Sequence, residues 1–345
     1  MNKYAVIMAG GGGVRFWPLS KSHFPKQYLN ITGQDALINE TLTRSQTLVP
    51  WDKTYIVTNQ NQQAVMEQIL PPAMPRENIL YEPMAKNTAP CVLYAALHIW
   101  KKHGDGVMCV FSADPYIADT AAFTETIDKA IHAAADSGLA VVIGIKPTFP
   151  STGYGYIKRG SASQYDGADT LDRFVEKPDA PTAAQYVASG EYLWNSGMFV
   201  WKVSTVMELF KRFLPKMYDA FIAETDIAAA YAQIEGISVD YGIMERIGDA
   251  LVVPGDFGWS DVGSWDTLDA VIPMDELGNV VKGLYVGMDS GGNTVHGNKL
   301  IATIGINDLV IVESEDAILI CPKTRVQDIR SLVSELKSRG MERFL

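Results

Sequence analysis

Tyr4-Ala5-Val6-Ile7-Met8-Ala9-Gly10-Gly11-Gly12-Gly13-Val14-Arg15-Phe16-Trp17-Pro18-Leu19-Ser20, followed shortly by Pro25-Lys26-Gln27, is the stretch whose reading decides the fold. A short apolar run enters glycines, and a patterned stretch from Ala36 to Val49 follows, so the order is strand, glycine loop, helix. Apolar runs recur at Thr54 to Thr58, Val107 to Ser112 and Leu139 to Ile145. Helical stretches lie between them near Gln62 to Leu70, Thr88 to Lys102 and Ala121 to Ser137. This alternation predicts a Rossmann-like, doubly wound α/β domain with a mostly parallel mixed sheet, running over residues 1–270. From Pro147 the pattern loosens into short strands (YGYIKR, LDRFVEKP, LWNSGMFVWK) and helical segments over Val203 to Phe213 and Val239 to Ile247. Residues 271–345 read as a small β domain of short runs such as VVKGLYVGMD, DLVIVES and DAILICP, closed by a helix from Val326 to Arg339. The turns between these runs are irregular and do not specify a regular β-helix. Their apolar strands need cover from the α/β domain or from a second subunit.

The chain has 345 residues, with 29 Lys and Arg against 40 Asp and Glu, a net charge of −11. No overall cationic field draws it to nucleic acid or to an anionic membrane, so an anionic ligand needs a local basic pocket. The first apolar run is too short for a signal peptide or a span, and the expected location is the cytoplasm. Cys91, Cys109 and Cys321 are scattered without a CxxC pair, and the five histidines show no paired spacing. A metal here would therefore be held by carboxylates.

Glycines after a buried strand let backbone N–H groups converge on phosphate oxygens without Cβ obstruction, and Arg15 and Lys26 would neutralise the charge. The plain alternative is a tight turn with two solvated bases. The loop is neither GxxxxGK[ST] nor a clean GxGxxG, and Arg-Phe-Trp-Pro follows it, which argues against a P-loop ATPase and against a nicotinamide dehydrogenase. Asp114 follows the apolar strand VMCVFS, where α/β sheets place ligands, and Asp261 sits in the turn WSDVGSW. Two such carboxylates supply the hard oxygen ligands that a Mg²⁺ bridging phosphates requires. Each aspartate alone could instead be a turn or helix cap.

In order along residues 3 to 330, GGGGVRFWPLS with PKQ, EPMAKNTAP, FSAD, FVEKP, WNSGMFVWK, DYGIMER and FGWSDVGSW resemble the mannose-1-phosphate guanylyltransferases (GDP-mannose pyrophosphorylases) of the sugar nucleotidyltransferase superfamily. The resemblance implies transfer of GMP from GTP to α-D-mannose 1-phosphate, giving GDP-mannose and diphosphate, by in-line attack on the α-phosphorus. By motif position it implies that Gly10, Gly11, Gly13, Arg15 and Lys26 hold the triphosphate, that Asp114 and Asp261 hold Mg²⁺, and that Lys177 binds the sugar phosphate. Arg15, Lys26, Asp114, Lys177 and Asp261 form the expected catalytic set. Guanine presents hydrogen-bond donors, for which Glu82, Asn87 and Thr88 are the candidates, although Asn87 and Thr88 could merely cap the next helix. Sugar hydroxyls need matched acceptors and donors, for which Gly155, Glu176, Asn195 and Gly197 are the candidates. Alternatively, Glu176-Lys177 is a solvated hairpin pair and Asn195-Ser196-Gly197 a turn. DYGIMER reads as structural.

The resemblance further implies a homodimer, in the short monofunctional form that lacks the second enzymatic domain of longer relatives. The same fold with another nucleotide or hexose 1-phosphate is the nearest competing reading. A non-catalytic GDP-mannose-binding regulator is a second, though such a binder needs no metal pair. One departure stands out: relatives commonly carry His directly after the metal-binding Asp, and here Pro115 supplies neither a backbone N–H nor a titratable ring.

Overall fold

The computed structural model describes residues 1–345. Alternate side chains of β1 (Lys3–Met8) point to opposite faces: Tyr4 and Val6 enter one hydrophobic core, Ala5 and Ile7 another. That double burial explains why the strand reads as a continuous apolar run. The elements that follow are α1 (Leu37–Ser45), β2 (Thr54–Asn59), α2 (Gln63–Ile69), β3 (Ile79–Glu82), α3 (Thr88–His103), β4 (Val107–Ser112), the short β5 (Tyr116–Ile117), α4 (Thr120–Ser137) and β6 (Ala140–Ile145). Next come β7 (Tyr156–Ala162), β8 (Asp169–Val175), α5 (Ala180–Ser189), β9 (Tyr192–Lys202), α6 (Val203–Phe213), α7 (Pro215–Ala223), α8 (Ile227–Gln233), β10 (Ala250–Gly255) and the short β11 (Trp259–Ser260). One sheet takes the order β3-β2-β1-β4-β9-β6-β10-β8-β7. β1 pairs in parallel with β2 and β4, β2 with β3, and β6 with β10, whereas β9 runs antiparallel between β4 and β6. The sheet is mixed and mostly parallel.

Strand order reverses direction at β1, flanked by β2 and β4, and α/β sheets bind ligands outside the carboxyl ends of strands at such a switch point. The glycine loop, Asp114 and Glu82 all leave that edge, after β1, β4 and β3.

The C-terminal unit contains β12 (Val280–Met288), β13 (Thr294–Ile304), β14 (Leu309–Glu313), β15 (Ile318–Pro322) and α9 (Ile329–Ser338). β12, β13 and β14 pair in parallel, one coil above the next, and only β15 is antiparallel. The irregular turns hide a repeat. Gly278, Gly292 and Asp308 all have positive φ at equivalent corners. Asn279 and Asn293 follow two of them as a buried ladder, in which the Asn293 N–H donates to Asn279 Oδ1 at 2.9 Å and the Leu309 N–H to Asn293 Oδ1 at 3.0 Å. This is a short β-helix, where sequence reading specified only a small β domain. One face of its apolar strands is covered from within the chain: Val310, Val312 and Leu319 share a third core with Phe16, Trp17, Val262 and Trp265 of the α/β domain, while Leu284, Val286, Met288, Leu300 and Ile304 stay exposed.

Two helical expectations need correction. Asp240–Met244 forms a single π-helical turn instead of a helix over 239–247. The closing helix begins at Ile329, because Lys323–Asp328 forms a 3₁₀ segment first.

Candidate functional site

Ser260 pairs with Tyr116 and Trp259 with Ile117, so a two-stranded ribbon ties the loop carrying Asp261 to the loop carrying Asp114. Both aspartates line one cavity of about 370 Å³ with Gly13, Arg15, Lys26 and Gly263. Lys26, only 6% exposed, donates from Nζ to Asp114 Oδ2 at 2.9 Å and to the Asp261 carbonyl at 2.5 Å. Arg15 Nη1 donates to the Gly263 carbonyl at 3.3 Å. Tyr154 donates from its hydroxyl to Asp261 Oδ1 at 2.6 Å, and burial together with the Asp261 charge pushes its phenol well up. Each aspartate thus keeps one carboxylate oxygen, Asp114 Oδ1 and Asp261 Oδ2, without a protein donor.

Sequence dictates this local shape. Gly13 sits at φ +46°, and a Cβ there would lie 2.6 Å from Lys26 Cβ, so only glycine lets the loop cross the lysine. Gln27 is buried beneath the loop and donates from Nε2 to the carbonyls of Ala9 at 2.8 Å and Gly11 at 3.1 Å. Behind Asp114, buried Arg44 donates to the Pro115 carbonyl at 3.2 Å and to Thr41 Oγ1 at 2.8 Å, and Thr41 donates to the Ala113 carbonyl at 3.2 Å. Both carbonyls flanking Asp114 are therefore fixed, and Pro115 keeps the one backbone group this network uses. Burial pulls the Arg44 guanidinium down to about 10.

The donor set suits a hard cation. No cluster of three or more His, Cys, Asp or Glu could hold a metal by protein ligands alone. Two aspartates with unengaged oxygens on one phosphate-sized cavity leave the other positions for phosphate and water, as divalent cations at such sites require.

A second cluster lies at Gly155. Glu176 Oε2 is buried without a partner, and a Cβ on Gly155 would stand 2.4 Å from it. The Asn195 N–H donates to the Gly155 carbonyl at 2.8 Å, Asn195 Nδ2 to Asp240 Oδ1 at 2.8 Å, and the Gly197 N–H to Asn195 Oδ1 at 3.0 Å. Burial pushes both Glu176 and Asp240 above the usual carboxylate range, Glu176 with help from the Asp240 charge. Asn195 to Gly197 is no simple turn. It is a bulged segment inside β9, where the register against β6 shifts, and bulges re-aim side chains beside sites. Lys177 stands apart from the lining of the phosphate cavity. At φ +46° it folds back to pair with Glu176, its side chain 53% exposed.

Glu82, 4% exposed, accepts from Tyr231 at 2.8 Å through Oε1, while Oε2 faces Gly10, where a Cβ would lie 3.1 Å away. Burial pushes its carboxyl up to about 7. Asn87 does cap α3, accepting from the Thr88 N–H at 2.9 Å, and Thr88 Oγ1 accepts from the Val239 N–H at 2.9 Å. These bonds join the helix cap to the segment that carries Asp240.

Sequence reading missed Gln27, Tyr154, Asp240 and Arg330, all now placed at or behind the two clusters. For the first three a motif was visible in PKQ, YGY and DYGIMER. For Arg330 none was.

Residues 4–276 match the Nucleotidyl transferase family, and residues 283–336 the MannoseP isomerase/GMP-like beta-helix domain. The chain is 39% identical over 357 residues to a mannose-1-phosphate guanylyltransferase of Escherichia coli, covering 98% of this chain and 74% of that one. It is 39% identical over 346 residues to the xanthan biosynthesis protein XanB of Xanthomonas campestris pv. campestris, covering 97% and 73%. A crystal structure from Thermus thermophilus, described as a mannose-1-phosphate geranyltransferase, superposes with a TM-score of 0.90 at 34% identity, covering 98% of this chain and 100% of that one. With this fold, this cavity and these relatives, the chain belongs to the mannose-1-phosphate guanylyltransferase branch of the nucleotidyl transferases.

Proposed function

We propose that the chain transfers GMP from GTP to α-D-mannose 1-phosphate, releasing diphosphate and GDP-mannose. The observation that carries this reading is the convergence of Asp114 and Asp261 with Arg15 and Lys26 on one cavity. The identity of base and sugar is drawn from the relatives. A phosphate oxygen of the sugar phosphate bonds to the α-phosphorus as the bond from that phosphorus to the bridging oxygen breaks, and the electron pair leaves with diphosphate. Such a displacement asks the protein for alignment and charge neutralisation, not for a covalent nucleophile.

In this reading Gly10, Gly11 and Gly13 offer the loop to the triphosphate while Arg15 and Lys26 meet the leaving diphosphate. Asp114 and Asp261 would hold a divalent cation, Mg²⁺, whose charge offsets that of the phosphates. Lys26 holds Asp114 aligned, and Tyr154 does the same for Asp261. Lys177 would swing from Glu176 to the sugar phosphate, leaving Glu176, Asn195 and Asp240, with the backbone at Gly155 and Gly197, to meet sugar hydroxyls. Glu82, beside Gly10 at the end of β3, accepts from the guanine donors, with Asn87 and Thr88 at the adjacent helix start.

No helix is long and apolar enough to cross a membrane. In this reading the reaction runs in the cytoplasm, where GTP and sugar phosphate are supplied. The homodimer belongs to the same reading. It is supported by the exposed apolar face of Leu284, Val286 and Met288 beside Leu300 and Ile304, and light scattering on the purified protein checks it.

Diphosphate release with Mg²⁺, pairing GTP, ATP, CTP and UTP with mannose and glucose 1-phosphates, tests the function. Release confined to GTP with mannose 1-phosphate is expected. Equal release with the other pairs would discard the base and sugar assignments, and tight GDP-mannose binding without turnover would favour a regulator.

A further inference from the structure

The cavity that holds Arg15, Lys26, Asp114 and Asp261 has one wall from outside the α/β domain: Arg330, in the first turn of α9. Two contacts aim it there. Ile329, 2% exposed, is buried in the core that contains Phe16, Trp265 and Val262, the residues flanking Arg15 and Gly263. Gln327 donates from Nε2 to Ser264 Oγ at 3.2 Å, fastening the other side of Arg330 to the residue after Gly263. The guanidinium itself is exposed, with no hydrogen bond or ion pair to any side chain or carbonyl. Of the three cations at the cavity, Lys26 is engaged by Asp114 and Arg15 by a carbonyl. Arg330 is unengaged.

We infer that Arg330 is a phosphate-binding residue through which the β-helix unit completes the site, contacting the diphosphate end of GTP on the Arg15 side. A guanidinium presents a planar fork that matches phosphate oxygens, and one without a protein acceptor gives up no existing bond when it binds them. This rests on the GTP-dependent reading above.

The test compares wild type with Arg330→Ala and Arg330→Lys. Binding of inorganic diphosphate with Mg²⁺ is measured by calorimetry, alongside KM for GTP and for mannose 1-phosphate. A charge-assisted hydrogen bond of this kind supports an expected loss of roughly tenfold in diphosphate affinity and a similar rise in KM for GTP for Arg330→Ala. KM for mannose 1-phosphate should stay within about twofold, and Arg330→Lys should recover part of the loss. Unchanged thermal midpoints are expected, since the side chain makes no bond in the fold. Diphosphate binding by Arg330→Ala equal to wild type would overturn the assignment, as would a weakening matched by a lowered midpoint. If wild type turns over a different nucleotide and sugar pair, the substrate reading fails, yet the diphosphate titration still decides the role of Arg330.

Discussion

The phosphate cavity and the Gly155 cluster sit on the same edge of the sheet, yet they solve opposite electrostatic problems. At the cavity every acid faces a cation or a hydroxyl donor, Lys26 on Asp114 and Tyr154 on Asp261, so the carboxylates stay available to a metal. At Gly155 the acids Glu176 and Asp240 are buried with an amide and a single, half-exposed lysine, and their affinity for protons rises. The first arrangement neutralises a polyanion. The second suits hydroxyl groups, because a buried carboxylate left without its partner penalises the wrong epimer. In the proposed function, charge handling and shape recognition are thus kept on separate residues.

The largest effect should come from breaking the cavity. Asp261→Ala should lower kcat by about 10²–10³-fold with Mg²⁺ while the fold persists, the scale seen when one electrostatic support is removed from a displacement site. Circular dichroism beside steady-state kinetics checks both halves, and near wild-type turnover would remove Asp261 from the metal site. Next in size, Glu176→Gln should raise KM for mannose 1-phosphate about tenfold with a smaller change in kcat, as loss of a binding contact does. A change confined to kcat would place Glu176 in the chemistry instead.

The third effect leaves turnover aside and concerns the stability contributed by Glu82. Its folded carboxyl lies at about 7 against an ordinary 4.5, so between those values the folded chain holds a proton that the unfolded chain has lost. The stability from this group is complete below about pH 4.5 and declines, by at most about 1.4 kcal/mol per pH unit, as pH rises to about 7. Denaturant titrations of wild type and Glu82→Gln across that range should differ in slope with this sign. Parallel curves would show that Glu82 titrates as an ordinary acid.

The same contrast explains what could be read from sequence. Gly10 to Gly13, Arg15 and Lys26 lie within one motif, and strand, loop and basic residues follow from local rules. Asp114 and Asp261 were legible as separate acids, but their meeting depends on the pairing of Ser260 with Tyr116, a contact between distant segments. Asp240 was visible only as part of DYGIMER, and its bond to Asn195 exists because a π turn packs against a bulged strand. The β-helix left a trace in Gly278-Asn279 and Gly292-Asn293, but the third corner is Asp308-Leu309, and so few coils give a weak period. Lys177 shows the reverse limit, since its motif suggested a phosphate contact and the fold pairs it with Glu176.

The most direct test of this division of labour is the ratio of kcat/KM for mannose 1-phosphate to that for glucose 1-phosphate, measured with GTP on wild type, Asp261→Asn and Glu176→Gln. The account predicts that Asp261→Asn lowers both values together and leaves the ratio unchanged, whereas Glu176→Gln collapses it. A ratio that falls for Asp261→Asn and survives in Glu176→Gln would contradict it.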